Sequence, residues 1–323
     1  MHRLHRLAGA LGAAATALAL LAAAPAAAAA PPLVDPHIAV HFDLAAGQTP
    51  ENIALEPDGA ADVTFVGAHQ IARVGTDGRI RVLATLPTPP VNSTPLVGIP
   101  APTGIVRSHD GTLFFGYATG TADLTGIWRL SPGRAPQRIA ALPPDGFPNG
   151  LALDEHSGQL YAADSVRGVV WRVPLHGGTP TVWADGPELR PAGSFGANGV
   201  KVQHAAVWVS NTDRGTLLRI PIGGGDRGHD QDAAGPIETR ATGLAGIDDF
   251  AFPGSDDTVL AALNGPSQVA RITPDGRHTV VLDRQDGLSN PTAVAFAGSL
   301  VYVTSAAYTT MTDPNLLLAR LRR

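Results

Sequence analysis

Cysteine is absent from the 323 residues, and lysine occurs once, at Lys201. The first absence excludes disulfides, thiol nucleophiles, Cys-ligated zinc and iron–sulfur clusters. The second excludes a phosphate-binding P-loop, because Val200 and not Gly precedes that lysine. The string Gly-x-Ser-x-Gly does not occur, which removes a nucleophile elbow. Charged residues make up only 16%, with 23 basic against 28 acidic side chains and a formal balance of −5. Such a chain is a poor electrostatic partner for phosphate backbones, so nucleic acid is not expected as a ligand. What the chain does have is 44% apolar residues interrupted by 37 Gly and 28 Pro. That combination can bury a sizeable core and favours many short strands over long helices.

Residues 1–30 read as a secretory signal peptide. Arg3 and Arg6 give a basic start, Leu7 to Ala24 carry no charge, and an Ala-rich exit leads to Pro31-Pro32. A retained membrane anchor is the alternative, and the weak hydrophobicity of an Ala-rich middle disfavours it. The expectation is an exported protein, secreted or held in the cell envelope, with no stable membrane insertion after cleavage. Residues 31–323 are then one domain, expected to be monomeric.

That domain repeats six times. The pattern apolar-any-Arg-apolar places arginines at 73, 129, 172, 219, 271 and 320. Upstream of each lies a second recurring strand, beginning at Glu51, Thr103, Asn149, Asn198, Asp248 and Thr292, at spacings of 52, 46, 49, 50 and 44. Turn residues such as Asp58-Gly59, Asp110-Gly111 and Ser157-Gly158 punctuate the units. Helix-length apolar periods are missing, which disfavours a parallel α/β sheet. Six antiparallel units of this length predict an all-β fold, a six-bladed β-propeller. The run His37 to Phe42 precedes the first unit and is predicted to complete the sixth blade as its outer strand, closing the ring and covering an edge.

In such a ring the first residues of the inner strands converge at one end of the central tunnel. Glu51, Thr103, Asn149, Asn198, Asp248 and Thr292 would then face one another. One such residue alone is an ordinary turn former. Two carboxylates and two carboxamides in four of six equivalent positions predict a cation site, because their mutual repulsion and desolvation are costly without one. Glu51, Asn149, Asn198 and Asp248 are the expected ligands. Oxygen donors without His or Cys suit Ca²⁺ best, with Mg²⁺, Mn²⁺ or Zn²⁺ as other divalent candidates. Asp249 is a further candidate, although consecutive strand side chains point to opposite faces.

These residues resemble the senescence-marker-protein, gluconolactonase and luciferin-regenerating-enzyme family of six-bladed propellers, which includes calcium-dependent lactonases. The resemblance runs over roughly residues 37 to 321. It rests on short motifs: PENIALEPDG with Glu51, FPNGLAL with Asn149, GANGVKV with Asn198 and GIDDFAF with Asp248. It implies a divalent ion held by those four side chains and hydrolysis of a lactone or related ester, a small-molecule substrate. Asp248 would join ligation to base or nucleophile duty, with Asp249 as a second base. Thr103, Phe147 and Thr292 are the expected substrate-binding residues. Relatives acting on sugar lactones carry Arg two positions before the first Asn, where this chain has Phe147. Asn52 also stands where relatives often have a smaller residue.

Other readings are weaker. A non-catalytic binding propeller with a structural ion is the main rival, since fold does not fix function. Condensation chemistry of the strictosidine-synthase kind needs a late Glu, and none follows Glu238. Gly223 to Gly228 matches a dinucleotide fingerprint, yet His229-Asp230-Gln231-Asp232 follows instead of an apolar helix. His37 and His41 share a strand face without a third ligand. The six arginines are expected to make blade-edge or inter-blade hydrogen bonds, and Trp128 and Trp171 to serve packing.

Overall fold

The computed structural model describes residues 33–91, 93–223 and 233–322. The proposed signal segment 1–30 lies outside them, as does most of the Gly223–Asp232 stretch.

The described residues form six four-stranded antiparallel sheets, each a blade. Blade 1 comprises Pro50–Leu55, Ala61–Phe65, Gln70–Val74 and Ile80–Thr85. Blade 2 comprises Ala101–Arg107, Leu113–Ala118, Gly126–Leu130 and Gln137–Ala141. Blade 3 comprises Pro148–Asp154, Gln159–Asp164, Val169–Pro174 and Thr181–Asp185. Blade 4 comprises Ala197–Gln203, Ala206–Asn211, Thr216–Pro221 and Glu238–Ala241. Blade 5 comprises Ile247–Ala251, Val259–Leu263, Gln268–Ile272 and His278–Leu282. Blade 6 takes Pro291–Ala297, Leu300–Ser305 and Asn315–Leu321 from the chain's end and Leu33–His41 from its start. The first strand of each blade contacts the first strand of the next, and blade 6 returns to blade 1. The repeating arginines all fall on third strands.

The closing strand is longer than His37–Phe42. It begins at Leu33, which is buried and pairs with Leu321. Pro36 marks a break in sequence, but the strand absorbs it at a bulge where Asp35 takes φ 53°. Among the described residues only one short helix occurs, the 3₁₀ turn Arg284–Asp286, and no helix is long and apolar enough to cross a membrane.

Apolar side chains are sorted by blade interface. Ile71 and Ala54 of blade 1 meet Phe115, Tyr117 and Trp128 of blade 2. Phe114 and Ile127 meet Leu160 and Trp171 across the next interface. Equivalent clusters fill the remaining four interfaces, the last joining Val63 and Phe65 to Tyr302 and Leu316. Each sheet therefore has both faces covered, and the ring leaves no single centre of packing. Trp128 and Trp171 are spent on this packing and on hydrogen bonds to the Leu124 carbonyl and the Asp164 carboxylate.

At the axis the backbones come closer than side chains allow. A Cβ on Gly150 would lie 2.2 Å from the Asn198 carbonyl oxygen, and one on Gly104 2.5 Å from that of Asn149. Gly199 meets Asp248 in the same way. The Asn-Gly pairs that open two of the recurring strands sit inside the inner strands, where glycine permits neighbouring blades to touch.

Candidate functional site

Each inner strand breaks register near its first residues. The shifts fall between Pro50 and Ile53, Pro102 and Ile105, Pro148 and Leu151, Ala197 and Val200, Ile247 and Phe250, and Pro291 and Ala293. A bulge re-aims side chains that a regular strand would send to alternate faces. Here it brings Glu51, Thr103, Asn149, Asn198 and Asp248 to one cavity of about 590 Å³. The sixth position, Thr292, does not reach that cavity. Its hydroxyl donates to the Pro50 carbonyl at 2.9 Å, within the interface of blades 6 and 1. Phe147 lines the cavity wall, and Phe195, Val66, Val97 and Ile99 line it too.

The two carboxamides are oriented by hydroxyls behind them. Ser165 Oγ donates to the Ala197 carbonyl at 2.7 Å, so it accepts from Asn149 Nδ2 at 3.1 Å. Thr212 Oγ1 donates to the Ile247 carbonyl at 2.7 Å and accepts from Asn198 Nδ2 at 2.9 Å. A hydroxyl has one proton, so its donation to a carbonyl fixes which amide atom faces it. Each Asn Oδ1 is left for another partner. Asn264 plays the matching part in blade 5, with Nδ2 near the Pro291 carbonyl at 3.3 Å and Asp248 Oδ2 at 3.4 Å. Ser165, Thr212 and Asn264 all stand one residue past a second strand. Each links its own blade's donor to the carbonyl that precedes the next blade's donor.

Among the described residues no basic side chain balances the buried carboxylates of Glu51 and Asp248. Burial pushes the Glu51 carboxyl up to about 7, opposed by the Tyr308 hydrogen bond and reinforced by the Asp249 charge. Burial drives Asp248 well above the ordinary carboxylate range, reinforced by the charges of Glu51 and Asp249. The amides of Asn198 and Asn264 pull it back less strongly. Tyr308 donates to Glu51 Oε2 at 2.5 Å, and burial holds its phenol well above its usual value. Two electron-rich carboxylates and two amide oxygens fit a hard divalent cation, which would relieve the repulsion. Among the described residues no three His, Cys, Asp or Glu side chains gather as a metal group, so the set depends on its carboxamides.

Asp249 faces elsewhere. Its oxygens accept from Lys201 Nζ at 2.5 and 2.6 Å and from Asn52 Nδ2 at 2.9 Å. The three residues come from blades 4, 5 and 1, and Asp249 does not line the cavity. Lys201 also lies over the Phe250 ring, 5.6 Å from its centre. His41 pairs with Asp313 and takes no part in the site.

The buried carboxylates set a pH dependence. The folded value of Glu51 lies above its ordinary 4.5, so its contribution is fully present below 4.5 and is lost as pH rises through 7. Asp248 acts in the same direction. Chelator-treated protein is therefore expected to melt lower at pH 8 than at pH 5, by on the order of 2 kcal/mol. Excess Ca²⁺ should reverse the trend, because only ionised carboxylates bind it. Melting curves at both pH values, with and without Ca²⁺, check this.

Tyr308, Asn264, Ser165, Thr212, Phe195 and Lys201 were not singled out as site residues from sequence. Ser165, Thr212 and Asn264 would have surfaced by aligning the blades on their second strands. Tyr308 and Phe195 lie in loops outside the repeating strands, which carry no repeat phase.

No family model matches the chain, and no curated protein matches it. Solved structures share its fold. A gluconolactonase from Xanthomonas campestris aligns with TM-score 0.60 at 15% identity, over 92% of this chain and 99% of that one. A calcium-binding protein, regucalcin, from Agrobacterium tumefaciens aligns with TM-score 0.59 at 18% identity, over 84% and 90%. A virginiamycin B lyase from Staphylococcus aureus aligns with TM-score 0.60 at 17% identity, over 85% and 82%. At these identities the likeness is one of fold.

Proposed function

We propose that the chain is a divalent-cation-dependent hydrolase of a lactone or related ester, exported from the cell. The observation that carries this reading is a pair of buried, mutually repelling carboxylates at the floor of a cavity whose carboxamides are pre-oriented. Glu51, Asn149, Asn198 and Asp248 would hold the cation, with Ca²⁺ the best match to an all-oxygen set. A gluconolactonase and a calcium-binding protein among the solved structures of this fold lend support. When bound, such a cation supplies Lewis-acid polarisation of a substrate carbonyl.

The chain's own groups divide the remaining work. Asp248, a buried carboxylate that lines the cavity, would take a proton from water attacking the carbonyl. Glu51 is fixed by Tyr308 and keeps its place while charge shifts nearby. Asn149 and Asn198 are held from behind and need no reorganisation when substrate arrives. Asp249 is already engaged by Lys201 and Asn52, which leaves it outside the proton-transfer role.

A panel of lactones, aryl esters and phosphotriesters tests the reading on purified protein. Turnover of a lactone or ester is expected, lost on chelation and restored by Ca²⁺. Absence of turnover across the panel, or turnover indifferent to chelator, would refute it.

A further inference from the structure

Resting on the hydrolase reading above, we infer that the substrate is an uncharged lactone or ester carrying an extended apolar group, not a polyhydroxylated sugar lactone. The cavity volume of about 590 Å³ far exceeds what an ion and a carbonyl need. Its apolar lining is Val66, Val97, Ile99, Ala101, Phe147 and Phe195. Val97 and Ile99 line the cavity and remain 40% and 38% exposed. Phe147 is fixed in place. Its amide donates to Asp164 Oδ1 at 2.9 Å, its carbonyl accepts from Ser165, and its ring meets the Phe195 ring edge-on at 5.9 Å.

The polar inventory points the same way. Among the described residues no Lys, Arg or His lines the cavity. A divalent ion would only cancel the two carboxylates, leaving no surplus positive charge for an anionic substrate. The hydroxyl protons are already committed. Thr103 donates to the Pro148 carbonyl at 2.8 Å, Thr309 to Asn290 Oδ1 at 3.1 Å, Thr212 to the Ile247 carbonyl and Tyr308 to Glu51. The ring oxygens of a sugar lactone would enter this space and find the hydroxyl protons and the Asn149 and Asn198 Nδ2 groups already engaged. Each unpaired one costs on the order of tenfold in affinity. An alkyl or aryl group finds the opposite: apolar surface already built and held.

The experiment compares purified, Ca²⁺-loaded protein on γ-lactones whose alkyl side chain grows from none to eight carbons, with D-glucono-δ-lactone alongside. Burying a methylene is worth roughly fourfold. The expected result is a rise in kcat/KM of about threefold to fourfold per added carbon until the cavity fills, with the sugar lactone at least about 100-fold below the best alkyl lactone. Phe147→Ala should flatten that slope. A flat series, or preference for the sugar lactone, overturns the inference. The matching alkyl lactams, which resist hydrolysis, are titrated calorimetrically in parallel. If no lactone is turned over yet lactam affinity climbs with chain length, the hydrolase reading falls and the apolar-ligand inference stands. If lactam affinity is independent of chain length, the inference falls.

Discussion

Asp248→Asn should lower kcat/KM on any lactone substrate by on the order of 10²- to 10⁴-fold, the usual contribution of a positioned base. The fold should survive intact. Asn is isosteric, and it removes a buried charge that already repels Glu51 and Asp249. In chelated protein the variant should therefore melt no lower than the parent at pH 8. Cation affinity should fall as well, since one of only two carboxylate ligands is lost. Activity measured at saturating Ca²⁺ separates the two effects. A variant that recovers full turnover at high Ca²⁺ would show Asp248 to be a ligand alone, and would remove it as the base.

Lys201→Met should destabilise the fold by stranding a buried carboxylate near the axis. Asp249 is 3% exposed at its side chain, and Lys201 supplies two of its three hydrogen bonds. Deleting the ammonium leaves a buried carboxylate with Asn52 alone. Breaking a buried pair in this way costs about 3–5 kcal/mol. The ammonium is 26% exposed, so solvent screening reduces the expected loss to about 2 kcal/mol. For a domain of this size that lowers Tm by roughly 4 °C. The double variant Lys201→Met, Asp249→Asn should recover most of the loss, because the stranded charge is then gone. Melting curves of the single and double variants make the comparison. A double variant less stable than Lys201→Met would show that Asp249 is held by something other than its pairing.

Much of this architecture was legible because the repeat is written in one residue per blade. The arginine pattern fell on the third strand six times, and the polar residue opening each upstream run fell on the inner strand. That phase places Glu51, Asn149, Asn198 and Asp248 at the same end of the ring, although the bulge that aims their side chains leaves no mark in the sequence. The limits were equally physical. Asn-Gly carries the same letters in a hairpin turn and in an inner strand pressed against its neighbour, and only the approach of Gly150 to Asn198 distinguishes them. Thr292 occupies an equivalent position, yet its hydroxyl satisfies the Pro50 carbonyl across the ring closure. Asn52 and Asp249 are 197 positions apart in sequence and meet only through the ring. Tyr308 comes from the connection between the second and third strands of the last blade, which is longer than the corresponding connection in any other blade. It follows Ala307 at φ 57°, and the next residues are tied down by Asn290 Oδ1.

The departure at Phe147 is the most informative single residue. In the sequence it marks a missing Arg. In the structure it is half of an aromatic pair that closes one wall of the cavity. Together with the committed hydroxyls, that wall narrows what the site can accept more than the ligand set does.

Calorimetric titration of chelator-stripped protein with Ca²⁺ at pH 8 tests the account most directly. One ion per chain should bind, and Glu51→Gln and Asn198→Ala should each weaken it by tenfold or more while leaving the melting of the stripped protein within about 2 kcal/mol of the parent. Binding unchanged in both variants, or no saturable binding of any divalent cation, would contradict it.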